Sequence, residues 1–492
     1  MIVAALGLMA AMATMAAPSE EAAGKGGIGW PPAVRGEIGL FGSIVSVDVE
    51  KRSFALQAEL CIPYGVDPFH PTKIDPSRRK GILTSSATRV FGQQANGYAE
   101  TVLDPAVLKT GMRVLVFGPH IGVGRPMTAT RVYPASCLWE SADLMPRAPL
   151  ESGKASWDRP LFGVIRWDIF SGGDSTTNPE LKSLSPRKYH DRVPFFLMIE
   201  SENKVAGSEN KQRVIDRQIA YARSAGIDYW AFVTCPEMDP NGAEYYALHR
   251  LLKSECRAGI RFCVIIHKYD NRWERRVSRF VELFKDSSYL KVTGNRPLLY
   301  VFSIADMERQ YGSMTKRNIE LLVNASVAAG LGRPYIALMS GSASCADKVR
   351  EYGVDALSSY ANTEGQGTTF ASLARSDVEK WEAFSRTGVK LIPLVSAGWN
   401  LMPRIDNPPP WGASSGGRGT NFDLPQPEEI ATHIREGLSF VVDHRDICDA
   451  NSILVYAWNE FCEGGWLCPT YGDGARRLES IRSMLETYKV SE

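Results

Sequence analysis

The sequence lacks the marks of several large protein classes. Its charge is balanced, Lys+Arg 56 against Asp+Glu 55 for a formal +1 over 492 residues. It therefore has no basic excess to follow a nucleic acid, and no polybasic patch for an anionic membrane surface. No CxxC pair occurs among its nine cysteines, and its seven histidines are scattered, without HxH or HExxH. No metal site is expected from such a pattern. No GxGxxG follows the first strand of the βα region and no GxxxxGK(S/T) is present, so the common nucleotide-binding loops lose support and no cofactor is expected. Past the N-terminus, no apolar run is long enough to cross a bilayer.

What is present begins at the N-terminus. Residues 2–17 are apolar or small and carry no charge, with Thr14 and Ala16 at the −3 and −1 positions of one cleavage site. The run has the length of a signal-peptide core, so residues 1–17 are expected to direct export and the mature protein to be secreted or periplasmic. No Lys or Arg precedes the run, which leaves an N-terminal anchor or a misassigned start as alternatives. Residues 18–35, opening Pro18-Ser19-Glu20-Glu21 and rich in glycine, are expected to be a linker.

At this length two or three domains are expected. Residues 36–135 punctuate in short β-like runs. Ile44–Val49 turns into Ser53–Ala58, and Gly111–Gly118 leads through a Gly/Pro turn to Met127–Val132. A small all-β domain, an antiparallel barrel or sandwich of OB-like type, is expected there. Its role is that of a packing or spacer domain or of a glycan-binding module.

Over residues 155–490 apolar runs alternate with amphipathic stretches, the rhythm of βα repetition. Eight strands are expected: Leu161–Trp167, Ile227–Val233, Phe262–His267, Pro297–Phe302, Tyr335–Met339, Val354–Ser358, Lys390–Val395 and Ser452–Ala457. Helices are expected over Lys211–Ala225 and Arg275–Phe284 from apolar residues three and four apart. The fold class is α/β, a (β/α)₈ TIM barrel preceded by the small all-β domain. An open doubly wound sheet fits the alternation too.

In such a barrel the functional side chains follow the C-terminal strand ends. Those ends carry Trp167 and Asp168; Thr234, Cys235 and Glu237; His267 and Tyr269; Trp399 and Arg404; and the run Trp458-Asn459-Glu460-Phe461-Cys462-Glu463-Gly464. Two carboxylates three residues apart converge on one small volume if the chain turns there. One can then protonate a leaving oxygen while the other acts as base or nucleophile, the pairing that glycosidic cleavage uses. Surface glutamates in a strand-to-helix loop have the same spacing. Glu460 and Glu463 are the candidate catalytic residues. Trp167, Asp168, His267, Tyr269, Trp399, Arg404, Trp458 and Asn459 are the candidates for holding substrate. Arg404 alternatively pairs with Asp406, and Cys462 and Cys468 are placed to form a disulfide if the compartment is oxidising.

The run Ala457–Gly464 resembles the WNEWxEG signature of glycoside hydrolase family 99 and of the family-99-like (WbsX-like) domains encoded in polysaccharide gene clusters. In the same order, Ala225-Gly226-Ile227-Asp228 resembles the family's AGID segment. Tyr289-Leu290-Lys291-Val292, with Gly294 and Arg296-Pro297, resembles YLKVxGKP, and Gly398-Trp399 with Pro403-Arg404 resembles GWDNTPR. The resemblance spans about residues 160–487 and implies a retaining endo-α-glycosidase with polysaccharide or oligosaccharide as substrate. It gives Glu460 the role of the base that recruits the sugar's own 2-hydroxyl, through an anhydro-sugar intermediate, and Glu463 that of general acid/base. Phe461 stands where the signature has Trp, Cys468 where a Glu often precedes the proline, and Asn400 where the segment has Asp. The third-strand end His267-Lys268-Tyr269 lacks the Glu-containing pattern of the endo-mannosidases. Kept glutamates with altered neighbours imply the same chemistry on a different glycan. A glycosyltransferase of a polysaccharide pathway and a non-catalytic glycan-binding barrel are the competing readings.

Overall fold

The structure, a computed structural model, describes residues 37–48, 50–63, 72–73, 79–84, 89–90, 108, 110, 113–119, 126–134, 159–172, 175–201, 203–236, 246–410 and 421–488. The expected signal peptide and linker, Glu237 and the Gly/Ser loop Gly412–Gly419 lie outside these residues. The chain divides into two compact units.

One unit holds the described residues up to Pro134 with Val193–Ala206 and Thr470–Ala475. Among its described residues the regular elements are strands. Glu37–Asp48 pairs antiparallel with Ser53–Pro63 on one side and with Arg113–Pro119 on the other. Phe54, Leu56 and Ala58, like Val114 and Val116, bury alternate side chains against Leu40, Ile44, Ile82 and Val132, as the two-residue period of a strand requires. The register of the first pairing shifts at Phe41/Gly42 and again at Ile44/Ser46, bulges that bend and twist a long strand. Two short pairings are parallel rather than antiparallel, Ile82-Leu83 with Met127-Thr128 and Arg89-Val90 with Arg131-Val132.

The other unit is mixed α/β around a curled parallel sheet. Its strands are β1 (Leu161–Arg166), β2 (Tyr229–Thr234), β3 (Arg261–Ile266), β4 (Arg296–Val301), β5 (Tyr335–Met339), β6 (Ala356–Ser358), β7 (Lys390–Leu391 and Leu394–Ser396) and β8 (Ser452–Tyr456). Each falls on an expected run. The two pieces of β7 flank Ile392-Pro393. The first pairs with β6 and the second with β8, so the hydrogen-bonded path leaves β7 through β6, β5, β4, β3, β2, β1 and β8 and returns to it. Pro393 has no N–H to give, yet its carbonyl still accepts from Leu454 (2.9 Å), and the Ile392 N–H reaches the Leu357 carbonyl (2.9 Å).

Hydroxyls from non-adjacent strands meet inside the curl. Tyr229 of β2 lies 3.1 Å from the Tyr300 hydroxyl of β4 and 2.9 Å from the Ser452 hydroxyl of β8. Gly163 of β1 makes room for this layer, because a Cβ there would overlap the Tyr229 ring. Outside the sheet, helix α1 (Pro179–Leu184) follows β1. Helix α2 (Gln212–Ser224) buries Val214, Ile215, Ile219 and Ala222, and helix α3 (Trp273–Phe284) buries Val277, Phe280 and Phe284. Both α2 and α3 lie where the three-and-four spacing of their apolar residues put them.

Gly163→Ala should therefore destabilise the unit by roughly 2–4 kcal/mol, since a packed ring layer has to move. Urea denaturation followed by tryptophan fluorescence measures this; an unchanged midpoint would mean that the layer yields freely.

Candidate functional site

After β8 the chain makes a short excursion that fixes both candidate glutamates. Trp458 turns inward, its N–H bonded to the Ile165 carbonyl (2.7 Å) and its own carbonyl accepting from Leu467 (3.1 Å) and Cys468 (2.9 Å). Asn459-Glu460 pairs antiparallel with Gly465-Trp466, and Phe461–Glu463 forms one 3₁₀ turn between them. The turn closes at Gly464, whose φ of 85° lies in the left-handed region that glycine adopts without cost. Its backbone packs on that of Gly398 (φ 135°), where a side chain would collide with the Gly464 carbonyl. The Asn400 N–H then donates to the Glu463 carbonyl at 2.6 Å. The spacing between Glu460 and Glu463 thus becomes a buried pair, the two residues 2% and 9% exposed.

Their surroundings differ. The Glu463 carboxylate accepts from the Arg404 guanidinium on Oε1 and from the Tyr456 hydroxyl on Oε2. Arg404, on helix α4 (Met402–Asp406), places its other terminal nitrogen 2.6 Å from Oε1 of Glu180 on α1. Glu460 accepts from the Tyr360 hydroxyl on Oε1 (2.9 Å), while its buried Oε2 has no hydrogen-bond partner. Burial pushes the Glu460 carboxyl up to about 7; the positive charge of Arg404 opposes this, the negative charge of Glu180 adds to it, and the Tyr360 hydrogen bond opposes it. Burial and the charge of Glu460 also raise the Tyr360 hydroxyl well above the usual phenol range.

An aromatic chain rims these carboxylates. His267 meets the Trp167 ring edge-on (centroids 5.0 Å), and Trp167 meets Tyr360 (6.2 Å). Tyr360 packs on Tyr456 (5.4 Å), and Tyr456 on Trp399 (5.7 Å). Phe302 packs against both His267 and Tyr360, at 4.6 Å each. The indole N–H groups of Trp167 and Trp399 are buried without a protein partner. Apolar faces beside unsatisfied donors and a free carboxyl oxygen suit a ligand rich in hydroxyl groups.

Of the expected residues, Trp167, His267, Trp399, Arg404, Glu460 and Glu463 join this arrangement. Asp168, Tyr269, Trp458 and Asn459 take places behind it. Asp168 is buried between the Arg166 guanidinium (3.3 Å) and the Ala247 N–H (2.6 Å). Burial raises its carboxyl to about 7 against the pull of Arg166, with Glu209 adding to the rise. Tyr269 packs on Trp273 and Tyr311 and donates to the Ser303 carbonyl (3.3 Å). Trp458 is fully buried with its indole N–H on Gln218 (2.6 Å), so it offers no face to a ligand. Asn459 clamps the end of β1, accepting from the Trp167 N–H (3.1 Å) and donating to its carbonyl (2.5 Å).

Arg404 does not pair with Asp406, which faces Lys188 and Tyr189 instead. Cys462 and Cys468 are free thiols; the former donates to the Glu180 carbonyl (3.4 Å). Among the described residues no group of three or more His, Cys, Asp or Glu is disposed to hold a metal ion, and no helix is long and apolar enough to cross a membrane. The sequence reading missed Tyr360, Tyr456 and Glu180. Tyr360 lies two residues past β6, within reach of the strand-end rule. Glu180 sits in the loop-and-helix after β1, where no spacing marks it.

Residues 261–481 match the family model described as Glycosyltransferase WbsX. No curated protein matches the chain. Two structures of the GH99 endo-alpha-mannosidase from Bacteroides thetaiotaomicron are similar to it. The one in complex with BIS-TRIS-propane is 12% identical, with 66% of this chain and 97% of that chain covered and a TM-score of 0.44. The other is 14% identical, with 67% and 97% covered and a TM-score of 0.45. A xylose isomerase-like TIM barrel protein from Mycobacterium smegmatis, in complex with magnesium, is 11% identical, with 67% and 96% covered and a TM-score of 0.28.

The raised carboxyl of Glu460 sets a stability expectation. A group whose proton is held more tightly in the folded state contributes stability that is full below its ordinary value of 4.5 and is lost as pH rises to about 7. Glu460→Gln removes this loss, on the order of 3 kcal/mol. The variant should gain on the wild type between those pH values in thermal melts, and a constant difference would place Glu460 in an ordinary solvated environment.

Proposed function

We propose that this chain is a glycoside hydrolase whose curled sheet is a (β/α)₈ barrel and whose chemistry is carried by Glu460 and Glu463. The observation that carries the reading is the contrast between two buried carboxyls in one turn. One is held by a guanidinium and a phenol; the other keeps its proton to about pH 7 and has a free oxygen. Acid–base cleavage of a glycosidic bond needs such a divided pair. The resemblance of Ala457–Gly464 to the family 99 signature supports a retaining, endo-acting α-glycosidase that works on a polysaccharide. The apolar run at residues 2–17 supports export to the periplasm or medium, where polymeric substrate is met.

In this mechanism one carboxylate takes the proton of the sugar's 2-hydroxyl as its oxygen attacks the anomeric carbon. The bond to the leaving oxygen breaks as the other carboxyl protonates it, and water then opens the anhydro sugar. The resemblance gives the first task to Glu460 and the second to Glu463. The resting environments favour the reverse, since Glu463 has hydrogen-bond donors on both oxygens and Glu460 retains the proton. The half-buried ring of Trp167 supplies a stacking face beside the pair, and the buried Trp399 backs it through Tyr456. Phe461 and Cys468, which depart from the signature, are fully buried, so these changes alter packing and not contacts to sugar. A change of glycan then rests on the third-strand end, where His267 meets the aromatic chain.

The description of the matched family model favours a second reading, glycosyl transfer from an activated donor. It predicts consumption of a nucleotide sugar and no hydrolysis.

The test is incubation of the full chain with a panel of neutral and anionic α-linked polysaccharides. Glu460→Gln and Glu463→Gln are run in parallel. Oligosaccharide products should fall at least about 10²-fold in each variant. The variant lacking the acid should recover on an α-glycosyl fluoride, whose leaving group needs no proton; this fixes the two roles. Products undiminished in either variant would overturn the assignment, and turnover of nucleotide sugars alone would replace hydrolysis by transfer.

A further inference from the structure

We infer that Glu180, acting through Arg404, is a third carboxylate of this site and a positioning residue that keeps one proton on the Glu460–Glu463 pair. The inference rests on the reading of that pair as the reacting groups. Arg404 is the guanidinium in direct contact with Glu463, and it is divided: one terminal nitrogen goes to Glu463 and the other to Glu180, at 2.6 Å. Two buried carboxylates thus share one cation, whose charge also acts on a third, Glu460. If all three were ionised the cluster would hold a net negative charge away from water, which is costly enough that a proton is retained instead.

Glu180 is 2% exposed, and its Oε2 is buried without a partner. Its backbone is fixed on both sides. Its N–H donates to the Asn178 side chain (2.9 Å), and its carbonyl accepts from the thiol of Cys462, inside the turn that carries the pair. Helix α1 is tied to the end of α4 as well, through the Ser183 hydroxyl and the Asn407 carbonyl (2.9 Å). Such a side chain is built into place and not merely adjacent.

The groups that act on Glu460 are Tyr360 after β6, Tyr456 of β8, Arg404 of α4, Glu180 of α1 and Cys462 of its own turn, with Glu463 bound to the same Arg404. Of these, Arg404 favours the ionised form of Glu460 and Glu180 disfavours it. Removing the charge of Glu180 leaves the guanidinium less neutralised, so both changes act in one direction, and Glu460 releases its proton at lower pH.

The test needs no substrate. The full chain is labelled with glutamate carrying ¹³C in the side-chain carboxyl and titrated by NMR, with the Glu460→Gln spectrum identifying the Glu460 signal. Glu180→Gln should lower the Glu460 midpoint by about one pH unit. Glu180→Asp, which keeps the charge, should bring it back towards the wild-type value. An unshifted or raised midpoint in a Glu180→Gln variant that is folded by circular dichroism overturns the inference. If Glu180→Gln does not fold, Glu180→Asp decides alone: a midpoint near wild type supports the charge role, and one lowered by a full unit overturns it in favour of packing. Absence of hydrolysis products would count against the hydrolase reading whatever the midpoints, so the two failures are separable.

Discussion

Burying several ionised carboxylates in one place is costly unless a cation is buried with them, and in this protein that cation is Arg404. Its planar fork has two ends that face different ways, which lets it bind Glu463 and Glu180 at once. A lysine would supply the charge without the fork. The position of the guanidinium in turn depends on α4 beginning directly after the Gly398-Trp399-Asn400 stretch, and on Asn400 itself. Arg192 holds that residue by its carbonyl (3.0 Å) and by its side-chain oxygen (2.7 Å), while its side-chain amide donates to the Phe422 carbonyl (2.8 Å). An aspartate there would meet Arg192 as well but would have no hydrogen to give Phe422. The substitution of Asn for the Asp of the resembled segment is thus a change in local bracing. Arg192 is buried with neutral partners at Asn400, and burial lowers its guanidinium to about 10.

Behind the site a second charged group fixes the ends of β1 and β8 relative to each other. Glu209, fully buried, accepts from Arg166 (2.9 Å), Gln218 (3.0 Å) and Tyr246, and Asn459 reaches it at 3.5 Å. Asn459 also clamps Trp167. The residue beside Glu460 therefore belongs to the scaffold, and a displacement of this network would move Glu460 and Trp167 together.

Much of this was legible in the sequence, and the reason is periodicity. The eight strands are continuous apolar runs because both faces of a parallel sheet are covered, and helices such as Gln212–Ser224 carry their apolar residues three and four apart. The strand-end rule named Trp167, His267, Trp399 and Arg404, which the structure brings into one arrangement with the two glutamates. It also named Asp168, Tyr269, Trp458 and Asn459, whose side chains are taken up by contacts with Ala247, Ser303, Gln218 and Trp167, partners that come from distant parts of the chain and that no local spacing reveals. Glu180 was illegible for a different reason: it reaches the site from a helix in a loop, and only the folded path of residues 167–180 brings it there.

The contact between Gly398 and Gly464 bears on how this protein can diversify. Where two main chains touch without side chains between them, no substitution can be absorbed by a change of rotamer, and the position is closed to variation as long as the turn is kept. Variation is thereby channelled to positions where a side chain can change without moving main chain, such as His267 at the end of β3, which meets its neighbours through rings alone in the contacts with Trp167 and Phe302. The glycine contact is a fixed die, and the side-chain contacts around it are the part that can be recut.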